Sequence, residues 1–349
     1  MKPKLLFIKH KNFNARTVDN DIEILKDRYD VTMYEVNTTK GFSFFSELIK
    51  EFFFLFFNIY KYRIIFIWFA DYHSLLPVFF SKLSGGFSAV NIGGYDADEI
   101  LIGKPKSLKA RFRKFCVKYT VKKCTKIFPV SNVIKSYLER VVPPEKCETV
   151  FCCINTGRFS AEENTGKKEN LIITVGGGGE FIKEAKRKRL DFFISLGEEF
   201  TKRHPGYKAK FYLVGHNKGT ATYNYLKELI KSPSIEIKPL TASIEELVSY
   251  YRRASVYMQL SFYEAFGIAQ IEAMYYGCIP VSNGGGAIPD VVGNAGFIIK
   301  DYDLEKYIAA IKEVLDGKHE NLRNEAKKRV AENFTLQVRK EKLLDALPH

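Results

Sequence analysis

Two glutamates eight residues apart, Glu264 and Glu272, flank an Ala265-Phe266-Gly267 turn and offer the most legible chemistry in this chain. Phe266 to Tyr276 has the apolar spacing of a helix, whose first N–H groups are unpaired. Such a helix start carries about half a positive charge, which suits a phosphate. Gly267 lets a ligand approach the backbone closely. Glu272, about a turn and a half inside, can accept two hydrogen bonds from a vicinal diol such as that of a ribose. Glu264, in the turn, is placed to meet something nearer the phosphates. For a bare pair of glutamates at this spacing, two surface charges would be the default reading. Here the pair is followed by Gly277, Pro280, glycines at 284–286 and a turn at Pro289-Asp290, parts that core building alone does not require.

These residues need elements to position them. Ser255 to Leu260 reads as a strand delivering the chain to Ser261, a good cap for the segment after it. Upstream, Leu171 to Val175 is a strand running into glycines 176–179, and Lys210 to Val214 is a strand ending at Gly215. Helices over Arg189–Lys202, Tyr223–Lys231 and Ile244–Arg253 alternate with them. The first half repeats the plan. Strands are expected at Lys4–Ile8, Val31–Val36, Ile64–Phe69 and Ser88–Ile92, with helices at Val18–Tyr29, Phe44–Tyr60 and Leu75–Leu83. The alternation predicts parallel, doubly wound sheets with right-handed crossovers. Ligands on such sheets bind beyond the carboxyl ends of the strands, here Ala70 to His73 and Gly93 to Asp96.

Length and composition fit this plan. The chain has 349 residues, enough for two domains, and is 46% apolar and 27% charged, which excludes a disordered chain. Its net charge of +14 calls for an anionic partner. The six cysteines form no C-x-x-C pair, and no zinc-ligand spacing or acidic metal cluster is present, so no metal or other cofactor is expected. With no signal peptide read at the N-terminus, free thiols in a reducing cytoplasm are expected. The Phe-rich run from Phe52 to Tyr60 is bracketed by Lys50, Glu51, Lys61 and Arg63 and falls short of the roughly 20 residues a membrane span needs.

The string S-x-x-E-A-F-G-x-x-x-x-E-A-M-x-x-G from Ser261, with Pro280-Val281 and G-G-x-x-P-D-V-V after it, resembles the signature of retaining GT-B glycosyltransferases of family 4. TVGGGGEFIKEAKRKRLDFFISL, KFYLVGH and VFCCINTGRF are similar to further parts of that family. The resemblance covers the C-terminal half by motif and the N-terminal half by architecture only. It implies a GT-B fold: two Rossmann-like α/β domains facing across a cleft, an acceptor domain at 1–157, a linker at 158–169 and a donor domain at 170–335. The terminal helix, 336–347, is expected to pack back on the first domain. The donor would be a UDP- or GDP-type nucleotide sugar. Glu272 resembles the family's ribose-binding glutamate, and Glu264 the one that contacts the transferred sugar or steadies the leaving phosphate. Ala265, Phe266, Gly267 and Gly215 belong to the donor loops, with backbone N–H groups of Phe266 and Gly267 meeting the donor. Where the family usually has a diphosphate-binding arginine this chain has Gly177, and Arg187 is the candidate replacement. Lys188, with Asp191, fits the family's second diphosphate cation. Two cations on the departing diphosphate would make a metal unnecessary.

The acceptor side is less legible. Many members of the family place a histidine where this chain has Gly93-Gly94. Asp96 or His73 could orient the acceptor hydroxyl or take its proton, and His73 is equally well read as a helix cap. With retention, the leaving phosphate can take that proton instead.

Lys104 to Lys126 carries ten basic residues and no acidic one. Leu108, Phe112, Phe115 and Tyr119 share one helical face, the pattern of a helix lying on an anionic membrane. An apolar face packed on the sheet would give the same pattern. No nucleic-acid motif accompanies the charge. The expectation is a peripheral enzyme of the inner leaflet that glycosylates a lipid-linked or surface-glycan acceptor in polysaccharide biosynthesis. An epimerase or phosphorylase on the same fold, or a non-catalytic nucleotide-sugar or membrane-binding subunit, would fit the same residues.

Overall fold

A computed structural model describes residues 2–11, 13, 15–37, 42–97, 103–158, 167–176, 181–239 and 244–348, the side chains of 42–44 excepted. Gly177 and most of the expected linker, 159–166, therefore lie outside the described residues. The chain divides into two compact units, Met1–Cys153 with Leu336–His349, and Ile154–Thr335.

The first unit is built on a five-stranded parallel sheet in the order β2-β1-β3-β4-β5. Its strands are β1 (Lys4–His10), β2 (Asp30–Val36), β3 (Ile64–Trp68), β4 (Phe87–Ile92) and β5 (Lys126–Pro129). β3 is buried at every position, as its unbroken apolar run requires when helices cover both faces. The helices are α1 (Arg16–Arg28), α2 (Phe42–Asn58), α3 (Tyr72–Leu83), α4 (Leu108–Lys123) and α5 (Asn132–Leu138). α3 starts three residues earlier than its apolar spacing predicts, because Asp71 caps it. The Asp71 carboxylate accepts from the Tyr72 N–H at 2.8 Å, and Ser74 Oγ accepts from the Asp71 N–H at 3.0 Å.

The second unit holds a six-stranded parallel sheet, β11-β10-β9-β6-β7-β8. Here β6 is Glu169–Val175, β7 Lys210–Val214, β8 Ile235–Lys238, β9 Ala254–Tyr257, β10 Ile279–Asn283 and β11 Phe297–Ile299. Around it run α6 (Ile182–Arg187), α7 (Leu190–Arg203), α8 (Ala221–Leu229), α9 (Ile244–Arg253), α10 (Ile268–Tyr275), α11 (Ile288–Val292), α12 (Leu304–Leu315) and α13 (Glu320–Asn333). The order reverses between β6 and β9, which pair directly, so the crevice at their carboxyl ends is the topological switch point.

The last helix, α14 (Leu336–Asp345), belongs to the first unit, and one buried arginine ties it there. Arg339 makes two hydrogen bonds to the Asp21 carboxylate, at 2.6 and 2.7 Å. It also donates to the carbonyls of Val150 and Phe151 at 2.8 and 2.6 Å. Trp68 Nε1–H donates to the same carboxylate at 2.8 Å, so the buried charges are fully paired.

Candidate active site

The switch point of the second unit brings together candidate residues from separate segments of the chain. β9 delivers the chain to Gln259 and Ser261, both buried. Gln259 Nε2–H and Ser261 Oγ–H donate to Glu264 Oε1 at 3.0 and 2.7 Å, and the Arg187 guanidinium lies 3.6 Å from that oxygen. All three contacts fall on Oε1, and the side chain keeps 16% of its surface exposed. Glu264 is thus oriented from behind, while Oε2 has no partner among the described residues. Gly286 completes the support. Its φ is 63°, and a Cβ there would meet the Glu264 carbonyl oxygen at 2.2 Å, so the backbones meet where only glycine fits. The glycine cluster therefore packs on the protein's own loop.

Two cations converge on the same place. Arg187, at the end of α6, is held by Glu184 at 2.8 Å and by the Tyr263 carbonyl at 2.7 Å. Lys188 follows it, with Nζ 3.3 Å from the carbonyl oxygen of Val175, the last residue of β6. Burial pulls the Lys188 pKa down, the Glu264 charge opposes this, and Arg187 adds to it. Arg189, next in the chain, has a φ of 53° and packs against the rings of Phe262 and Tyr302. His216, which the motif reading passed over, lies beside Lys188. Its pKa is pushed down to about 4, by burial first and by Lys188 second. Its Nε2 is buried without a partner among the described residues, and a side chain on Gly176 would strike it at 2.1 Å. Gly215, just before it, has a φ of 104° and sits against the Gly176 carbonyl.

Glu272 lies one element further on, at the fifth position of α10. It is buried and accepts from Tyr251 Oη at 3.1 Å. α10 begins at Ile268, later than its apolar spacing predicts, because Gly267 has a φ of 102° and occupies the cap. The Phe266 ring is buried against Phe334, so any contact of Phe266 with a ligand has to come from its backbone.

The strand tips of the first unit give a different answer from the sequence reading. His73 is 1% exposed and lies within α3, so the histidine-as-cap reading is corrected: Asp71 is the cap. Its Nε2–H donates to the Trp68 carbonyl at 3.0 Å, and burial lowers its pKa, which keeps the ring neutral. Asp96 is fully enclosed and accepts from the N–H groups of Ala70 at 3.0 Å and Gly94 at 2.9 Å, bracing two loops together. Burial pushes its pKa up to about 7, against the opposing pull of those N–H groups. Neither side chain is open to solvent. At Gly93, a Cβ would meet the Phe69 ring at 2.0 Å, so that ring fills the space a histidine side chain would need. Nearer the surface here is Arg113, half-buried, which is held by two hydrogen bonds to the largely buried Asp71 carboxylate, with Tyr95 beside it.

Among the described residues, no three His, Cys, Asp or Glu side chains converge as a metal site. No described helix is long and apolar enough to cross a membrane. All six cysteines are buried free thiols.

The two parallel-sheet domains have the GT-B fold. HepE of Anabaena, solved with UDP and glucose, superposes with a TM-score of 0.72 at 12% identity, covering 99% of this chain and 100% of that one. Sucrose-phosphate synthase of Thermosynechococcus elongatus superposes with a TM-score of 0.73 at 15% identity, over 99% and 98% of the two chains. Residues 157–332, half of the chain, match the family model for glycosyl transferases group 1, and the protein belongs to that family. Its sequence is 26% identical over 186 residues to D-inositol 3-phosphate glycosyltransferase of Acidothermus cellulolyticus. That alignment takes in 51% of this chain and 40% of the relative, so the chain spans less than half the length of the curated relative it matches.

Proposed function

We propose that the protein is a retaining, metal-independent glycosyltransferase that moves a hexose-type sugar from a UDP- or GDP-type nucleotide sugar to a lipid-linked or surface-glycan acceptor in polysaccharide biosynthesis. The observation that carries this reading is the convergence of Arg187, Lys188 and the oriented Glu264 carboxylate on the β6/β9 switch point. Two fixed cations beside a carboxylate suit a diphosphate leaving group attached to a hydroxyl-rich sugar. Their charge is preorganised where negative charge develops as the sugar departs. Glu272, aligned by Tyr251, is the residue for the ribose diol.

In this mechanism the bond from the anomeric carbon to the diphosphate oxygen breaks, and the acceptor oxygen bonds that carbon on the same face. The acceptor proton passes to the departing phosphate oxygen. The enclosure of Asp96 and His73 supports a route without a dedicated protein base. Glu264 steadies the transferred sugar through Oε2, and Arg187 and Lys188 hold the nucleoside diphosphate as it forms.

The basic stretch around α4 supports a peripheral location on the anionic inner leaflet, facing the cytoplasm.

Thermal-shift screening against UDP-, GDP-, ADP- and TDP-sugars tests the donor half, because a ligand bound only by the folded state raises the melting temperature. One class should stabilise the chain, and NMR of the products should show the sugar on an acceptor with its anomeric configuration kept. No shift with any of the four, or a new sugar nucleotide formed without acceptor, would overturn the reading.

A further inference from the structure

α2 has two apolar sides. Leu55 faces inward with Glu51, as does Ile59 just past the helix end, and Phe54 stacks on Tyr34 with ring centroids 4.3 Å apart. The other side, Phe45, Ile49, Phe52, Phe53, Phe56 and Phe57, recurs at helical spacing and is 40–69% exposed. A stripe of that kind normally points into a core. α3 packs against both α2 and α4, and α4 continues the exposure. Cys116, Val117, Thr120 and Val121 are its buried face, so the alternative of an aromatic edge packed on the sheet does not hold: Leu108, Phe112 and Phe115 point outward. A groove of about 330 Å³ with an almost wholly apolar lining runs between α2, α3 and α4. Its walls include Ile49, Phe52, Leu75, Leu76 and Phe112. It reaches Tyr72, next to the Asp71–Arg113 pair at the strand tips.

The charge around this face selects its occupant. Lys109, Arg111, Lys118, Lys122 and Lys123 are exposed on α4, which has no acidic residue. Two copies of the face would bring like charges together. An anionic lipid surface offers both the apolar phase and the opposite charge.

We propose that this face binds lipid, with the aromatic ridges of α2 and α4 seated in an anionic bilayer and one hydrocarbon chain of the acceptor in the groove. The acceptor is then an amphiphile whose head group emerges beside Asp71 and Arg113. This rests on the glycosyltransferase reading only for calling the lipid an acceptor.

The test has two arms. Without vesicles, the fluorescent fatty acid 11-(dansylamino)undecanoic acid should bind saturably, and Ile49→Arg in the groove wall should weaken it about tenfold or more. With vesicles, sedimentation should show binding to phosphatidylcholine–phosphatidylglycerol and little to phosphatidylcholine alone. Phe56→Ser/Phe57→Ser should lower that binding about tenfold or more while leaving fatty-acid binding unchanged. Both variants lie at exposed positions and should keep the wild-type unfolding curve and nucleotide-sugar thermal shift. Equal binding to both vesicles, no saturable fatty-acid binding, or a wild-type dimer that the Phe variants dissociate would overturn the proposal. A nucleotide-sugar shift without lipid binding sinks this inference alone, and lipid binding without that shift sinks the transferase reading alone.

Discussion

Replacing Lys188 by Met tests the catalytic reading most directly, because it removes one charge and keeps an apolar stem. The ammonium is enclosed near the Val175 carbonyl, and burial already works against its charge. A phosphate oxygen about 4 Å away, at an effective dielectric of about 20, would be attracted by about 4 kcal/mol. At about 1.4 kcal/mol per factor of ten, that is roughly a thousandfold in rate if the charge matters only as the diphosphate departs. Removal of one preorganised donor elsewhere costs about 10²–10³ in kcat. With Arg187 still present, we expect kcat to fall about 10²–10³-fold and KM to change little. The assay is release of free nucleoside diphosphate from the donor that gives a thermal shift. A pH profile adds an independent check. Because the Lys188 pKa is lowered, wild-type activity should decline at a lower alkaline pH than an ordinary lysine would set, and the variant should lack that limb. Activity within tenfold of wild type, or a loss confined to KM, would refute the assignment.

Glu264→Gln keeps the Ser261 and Gln259 hydrogen-bonding site but removes the charge. Turnover should fall about 10²-fold or more while the melting temperature stays within a few degrees, as measured by product release and calorimetry. Arg339→Met leaves the buried Asp21 carboxylate unpaired and should destabilise the first unit by about 3–5 kcal/mol, or roughly 6–20 °C in its melting transition. Adding Asp21→Asn should recover part of that loss, and no recovery would count against the pairing argument. Glu51 is buried on α2 with both oxygens unpartnered among the described residues, and burial raises its pKa well above the ordinary value. That direction sets the sign: the cost of ionising it is absent below about pH 4.3, the ordinary glutamate value, and grows as pH rises toward its raised pKa. Glu51→Met should therefore stabilise the protein more at pH 8 than at pH 5 in urea titrations. A gain equal at both pH values would contradict that.

The sequence by itself determined the alternation of parallel strands and helices, the two-domain plan, and the Glu264–Glu272 loop as a candidate site. Those signals are local: buried strands need unbroken apolar runs, and the Glu264–Glu272 loop is one contiguous string. β11 and α11 were not legible, since three- and five-residue elements carry too little periodicity to read. Only the tertiary structure decided which polar groups meet. His73 and Asp96 look like bases in the chain, yet the packing of Trp68, Ala70 and Gly94 around them turns both inward. His216 joins Lys188, and Arg339 finds Asp21 across more than three hundred residues, through sheet topology that no spacing encodes. The aromatic residues of α2 and α4 show the same limit. Helical periodicity says that a stripe is apolar, but only the packing of α3 decides which stripe is covered and which is left to solvent.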